Sequence, residues 1–182
     1  KWSPNEKSIL LGRHQGRVAA VVHIESGEIK EFQHEEIIWH NAAFDPSGRK
    51  ILTFGKPAPT EPIQNYYIWD VGSQKIDVIL KHENKSISET VNKHSWENND
   101  GTGMGISYSV GSFSPDSQAI ITAATDQILR LWNTNSGELI DSLKIPKLPA
   151  RDQNPIFSND GNRMALPLRD GTCYTVSYTH LT

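Results

Sequence analysis

The sequence predicts an all-β protein made of about four copies of one four-stranded antiparallel sheet, and three observations predict it. A Pro-containing turn recurs at Ser3-Pro4-Asn5, Asp45-Pro46-Ser47-Gly48 and Ser114-Pro115-Asp116-Ser117, with a Pro-less counterpart at Ser158-Asn159-Asp160-Gly161. Short apolar runs that alternate like half-buried strands follow each turn. Where the third strand of a copy ends, an aromatic or aliphatic residue precedes Asp, Asn or His, as in Trp69-Asp70, Trp132-Asn133 and Val22-His23. Pro46 follows Pro4 by 42 residues and Pro115 follows Pro46 by 69. A repeat of that order means stacked copies of one supersecondary unit, because a lone copy cannot bury its apolar faces.

The third copy shows each element most clearly. Val110 to Phe113 ends one strand at the Ser114-Pro115-Asp116 turn, where Pro fixes φ and Asp can accept nearby backbone N–H groups. Ala119 to Ala124 is a short apolar strand. Thr125-Asp126-Gln127 makes the next turn, and Ile128 to Trp132 the next strand. The chain turns again through Asn133 to Gly137, and Glu138 to Lys144 reads as an outer strand. In the other copies, Ile51 to Phe54, Tyr67-Ile68-Trp69-Asp70, Val21 to Glu28 and Arg169-Asp170-Gly171-Thr172 overlay these elements. The copies fall at about residues 1–34, 35–81, 103–145 and 150–175, two near complete and two partial. A polar insertion occupies 82–102. Four strands in about forty residues, joined by tight turns, make one blade of a β-propeller, so the chain reads as a propeller fragment of about four blades. The Trp of each third strand is expected to pack against the following blade. Its indole N–H needs an acceptor there, and Thr122 is a candidate relay between Trp132 and Asp126.

These residues resemble the WD-repeat family. Trp69-Asp70 is similar to its hallmark dipeptide and Trp132-Asn133 to a common variant. Phe113-Ser114-Pro115-Asp116 and the Asp126, Arg130-Leu131-Trp132 set are similar to its other recurrent blocks. The resemblance covers nearly all of residues 2–175. It departs from the family in lacking Gly-His before each first strand and in carrying Val22 where Trp is expected, and the fourth copy is interrupted before that position. The resemblance implies a rigid, non-catalytic platform that holds protein partners and no cofactor. Trp69, Asp70, Trp132, Asn133, Asp126, Asp170, Pro46 and Pro115 then serve as repeat scaffolding. Residues 176–182 resemble translated adaptor read-through from sequencing. Together with the abrupt start at Lys1-Trp2, they give the expectation of a chain truncated at both ends, with its remaining blades in a longer protein.

Composition narrows the function. A net charge of −3 argues against a broad basic surface, so neither nucleic acid nor a membrane is the expected partner. One cysteine, Cys173, allows no internal disulfide and fits a reducing, cytoplasmic setting. His34-Glu35 and His82-Glu83 start like zincin helices but have Ile38 and Ser86 where the second His must fall. Ser107 lies in a near-match to a nucleophile elbow, but Ser109 replaces its second Gly. Gly101, Gly103 and Gly105 lack the Lys-Ser/Thr of a phosphate loop, and Asn98-Asn99-Asp100-Gly101 lacks the distal Glu of a calcium loop. No metal site or catalytic set emerges. The insertion is the candidate partner-binding segment, through His94, Trp96, Asn98, Asn99 and Asp100, since long irregular connections are often functional. A smaller Pro-rich excursion, Lys56-Pro57-Ala58-Pro59-Thr60-Glu61-Pro62, interrupts the second copy. The rival readings are a propeller attached to a hydrolase, peptidase or kinase-linked signalling protein, and a periplasmic propeller of an envelope complex.

Overall fold

A computed structural model describes residues 1–12, 18–34, 38–56, 65–81, 109–124, 126–150 and 153–177. Among them the regular structure is all strand, arranged as four antiparallel sheets that follow one another along the chain. The first sheet holds β1 (Ser8–Gly12), β2 (Val18–His23) and β3 (Ile29–Gln33). The second holds β4 (Ile38–Phe44), β5 (Lys50–Lys56), β6 (Asn65–Asp70) and β7 (Ile76–Leu80). The third holds β8 (Ser109–Phe113), β9 (Ala119–Ala124), β10 (Ile128–Asn133) and β11 (Leu139–Lys144). The fourth holds β12 (Ile156–Phe157), β13 (Arg163–Pro167) and β14 (Cys173–Ser177). Each strand pairs only with its neighbour in sequence, the arrangement that tight turns impose on consecutive strands.

The register repeats more faithfully than the residues do. Phe44 pairs with Ile51 and Ile51 with Trp69; Phe113 pairs with Ile120 and Ile120 with Trp132. Phe157, Met164 and Val176 form the same cross-strand row in the fourth sheet. In the first sheet Trp2 makes an isolated bridge to Ile9, and Ile9 pairs with Val22. Val22 and Val176 thus take the place that Trp69 and Trp132 hold in the middle sheets. β14 runs on through Val176 and Ser177, both paired with β13.

Successive sheets pack face to face. Leu10, Ala19, Val21 and Phe32 of the first sheet share one core with Ala42, Ile51, Tyr67 and Trp69 of the second. Leu52, Phe54, Tyr66, Ile68 and Leu80 turn the other way and meet Phe113, Ile120 and Trp132 of the third. Val110, Ala119, Ile121, Leu129 and Leu131 in turn meet Met164, Leu166 and Leu168. β5, β6, β9 and β10 are therefore buried on both faces, unlike a strand with one wet side. Each fully buried Leu, Ile or Phe stabilises the stack by roughly 1.5–3 kcal/mol.

One expectation is corrected here. The tryptophans pack against the preceding sheet, not the following one: Trp69 meets Phe32 of the first sheet edge-on, with ring centroids 5.9 Å apart and planes at 83°. Trp132 likewise joins the core shared with the second sheet. Alternation along a strand predicts that Trp69 lies opposite in face to Ile68, but the hand of the stack decides which face looks back.

The closest approaches between the first three sheets run through β4 and β8. At Gly111 in β8, an added Cβ would lie 2.9 Å from the Ile121 carbonyl oxygen and 3.0 Å from the Phe54 ring. No side chain fits there, and the residue has to be glycine.

Candidate functional site

The repeated turns form the best defined polar feature of the chain. In each opening turn the side-chain oxygen of the first residue accepts the N–H five residues on: Ser3 from Ser8 at 2.9 Å, Asp45 from Lys50 at 2.8 Å, Ser114 from Ala119 at 2.9 Å and Ser158 from Arg163 at 3.0 Å. The carbonyl of that first residue also accepts the N–H of the fourth, which is left-handed in every copy: Glu6 at 57°, Gly48 at 71°, Ser117 at 60° and Gly161 at 70°. Pro belongs at the second position because its fixed φ suits the start of such a turn. These turns stack in a column at one end of the sheets. A Cβ on Gly48 would lie 3.6 Å from Pro4, one on Gly161 would lie 3.7 Å from Pro115, and the Ser117 hydroxyl donates to Asp45 at 3.1 Å. Pro46 and Pro115 come together beside Phe113 and Pro155, lining an open concavity of about 590 Å³.

The residue after each Trp or Val position makes the next turn. The carbonyls of His23, Asp70 and Asn133 accept the N–H groups of Gly27, Gln74 and Gly137, each at 2.9 Å. Their side chains accept from the third residue on: Asp70 from Ser73 at 2.6 Å, Asn133 from Ser136 at 3.0 Å and His23 Nδ1 from Ser26 at 3.3 Å. This is why Asp, Asn or His follows the Trp or Val: each offers an acceptor at the right reach. The Ser73 N–H and hydroxyl hold the Asp70 carboxyl below its ordinary pKa.

Trp69 and Trp132 are joined to threonines. The Trp132 indole donates to Thr122 at 2.8 Å and the Trp69 indole to Thr53 at 2.9 Å, and both threonines are fully buried. Thr53 escaped the sequence reading, although it follows Ile51 as Thr122 follows Ile120. Where Trp gives way to Val22 and Val176, the threonine position is Leu11 or Leu166, read from the pairings Leu11↔Ala20 and Leu166↔Tyr174. Donor and acceptor are replaced together, which leaves no buried polar group unpaired.

Asp126 and Asp170 hold equivalent turns, each accepting the N–H two residues on at 3.1 Å. Asp126 also pairs with Arg130 at 2.7 Å, both side chains almost fully buried. Asp170 instead pairs with the exposed Lys147. That contact, then the Thr172 hydroxyl and N–H, hold the Asp170 carboxyl far below the usual range. These groups lie at the end opposite the proline column. The β5–β6 connection and the connection from β7 to β8 leave from that same end, because neighbouring strands alternate in direction.

His94, Trp96, Asn98, Asn99 and Asp100 lie outside the described residues, as do 57–64. Among the described residues, no group of three His, Cys, Asp or Glu is placed to hold a metal, and no helix is long and apolar enough to cross a membrane. No protein-family model matches the chain, and no curated protein is significantly similar to it in sequence.

Proposed function

We propose that the chain is part of a WD-repeat-like β-propeller and acts as a non-catalytic scaffold that holds protein partners. The observation that carries this reading is the cross-strand row repeated in all four sheets, with each row pressed onto the sheet before it in the three internal interfaces. Close approach through β4 and β8, with Gly111 at the tightest point, favours sheets that converge on their first strands and so fan around an axis. The buried indole hydrogen bonds of Trp69 and Trp132, and the turn hydrogen bonds of Asp126 and Asp170, are made within the sheets and their turns, which suits scaffolding better than ligand contact. Recognition then falls to the two ends of the stack. In this reading the 82–102 connection, with His94 and Trp96, supplies a partner-binding segment.

The test is replacement of residues 82–102 by a short Gly-Ser linker, followed by quantitative cross-linking to partners captured by the unaltered chain. Far-UV circular dichroism and the urea midpoint should stay unchanged while capture falls at least about tenfold, as expected when an aromatic anchor is lost. Full retention of every captured partner by the linker variant rules the binding role out.

A further inference from the structure

β3, β7 and β11 are each the last strand of their sheet, so one edge of each has no strand beside it. Strand alternation decides which main-chain groups lie on that edge. The Asp70 N–H donates to the Lys75 carbonyl, so Asp70 turns toward β7 and Tyr67, three residues back, turns toward β5. The Tyr67 carbonyl accordingly accepts the Thr53 hydroxyl at 3.3 Å. Ile79 is paired with Tyr67, so its own N–H and C=O point off the sheet. Glu31 and Ser142, paired with Ala20 and Arg130, stand at the same place in the first and third sheets.

Those two edges are partly occupied. Gln74 Nε2 donates to the Glu31 carbonyl at 2.8 Å, and Asp141 Oδ1 accepts the Ser142 N–H at 2.7 Å. Among the described residues, Ile79 has no such contact. Val78 precedes it where Asp141 precedes Ser142, and the counterpart of Gln74 is Gly137. A Cβ on Gly137 would lie 3.4 Å from the Ile79 carbonyl oxygen but only 2.6 Å from Val78, and φ there is 73°. No side chain can therefore reach over Ile79 from that turn. The Ile79 side chain is 41% exposed, and Lys81 is exposed beyond it. The second sheet has a neighbour packed on each face, so what lies open is its rim.

We infer that β7 is a strand-addition site, where an extended segment of a protein partner pairs with Ile79 as a fifth strand of the second sheet. An open donor and acceptor on one residue call for main chain, and the exposed Ile79 side chain for an apolar neighbour. The Lys81 ammonium calls for a carboxylate on the same segment. Antiparallel pairing places that carboxylate two residues before the apolar one. The site does not use the 82–102 connection, so it stands or falls apart from the binding role given to that segment.

The test titrates acetyl-Thr-Glu-Thr-Val-Thr-Thr-amide into the isotope-labelled chain and follows the Ile79 amide by NMR. The expected result is saturable binding at up to millimolar peptide. Exchange of the Ile79 amide should be fast in the free chain and slow at least about tenfold in the complex. Ile79→Pro removes only an N–H that points off the sheet, so the fold should survive. That variant should weaken binding at least about tenfold, as should N-methylation of the peptide's Val against the unaltered chain. Lys81→Glu should reverse the preference, favouring a peptide with Lys in place of Glu. Ser142→Pro, at the same place in β11, should leave binding intact. Absence of saturable binding, or equal binding of the N-methylated peptide, overturns the site. Protection of the Ile79 amide in the free chain that is lost when 82–102 is replaced by a linker would show the edge filled by the chain itself, and overturns the partner.

Discussion

The Trp132 indole donates to the fully buried Thr122 hydroxyl inside the core shared with the second sheet, and that sets the cost of disturbing it. Thr122→Val keeps shape but removes that acceptor, and should destabilise the chain by about 1–3 kcal/mol in urea unfolding. Trp132→Phe leaves only a hydroxyl to be satisfied, and a Thr122→Val, Trp132→Phe double variant should cost clearly less than the two single changes added together. Strict additivity would mean that the bond at 2.8 Å is energetically idle. At this scale the sequence was legible where polarity forced a choice: Trp69, Trp132, Asp126 and Asp170 all announce themselves. Thr53 did not, although it stands in its copy where Thr122 stands in the third, because the second copy has no Asp126 counterpart singled out beside it to suggest a relay. Nor did Leu11 and Leu166, which fill the same place without needing a partner.

Among the elements, the turns carry a pH dependence whose sign follows from their hydrogen bonds. The Ser114 hydroxyl, then the Gln118 N–H, hold the Asp116 carboxyl below its ordinary pKa. The Ser158 hydroxyl and the Asn162 amides do the same for Asp160. Because the folded pKa values are depressed, the stabilisation is present above about pH 4 and is lost as pH falls through the lowered values. Asp116→Asn and Asp160→Asn should therefore lower the urea midpoint at neutral pH and change it little near pH 2, so that the drop between about pH 5 and pH 2 shrinks. An unaltered acid slope in the double variant would show that these turns are not its source. The turns were also the most legible elements, since Pro46, Pro115 and the Ser or Asp before them have local causes. The facing of Trp69 was not legible, because period-two alternation separates two faces without saying which neighbour each one meets. The pattern at 82–102 gave no structural expectation to compare.

Across the whole molecule, stability should be graded along the stack, as in any array where each unit touches only its neighbours. The second and third sheets are covered on both faces, the first and fourth on one. Amide exchange at low protein concentration should find the slowest hydrogens in β5, β6, β9 and β10 and faster ones in β1 and β14. Greatest protection in β13 and β14 would contradict the packing described. The order of the sheets was readable from turn spacing, since short connections leave consecutive strands little choice but to pair. The paired exchange of Trp and Thr for Val and Leu has a further implication for ancestry. A unit that trades its indole for an aliphatic side chain passes through an unfavourable intermediate unless the hydroxyl departs as well, so the two positions should drift as a couple. A census of such units by tryptophan alone would find two, where geometry counts four among the described residues.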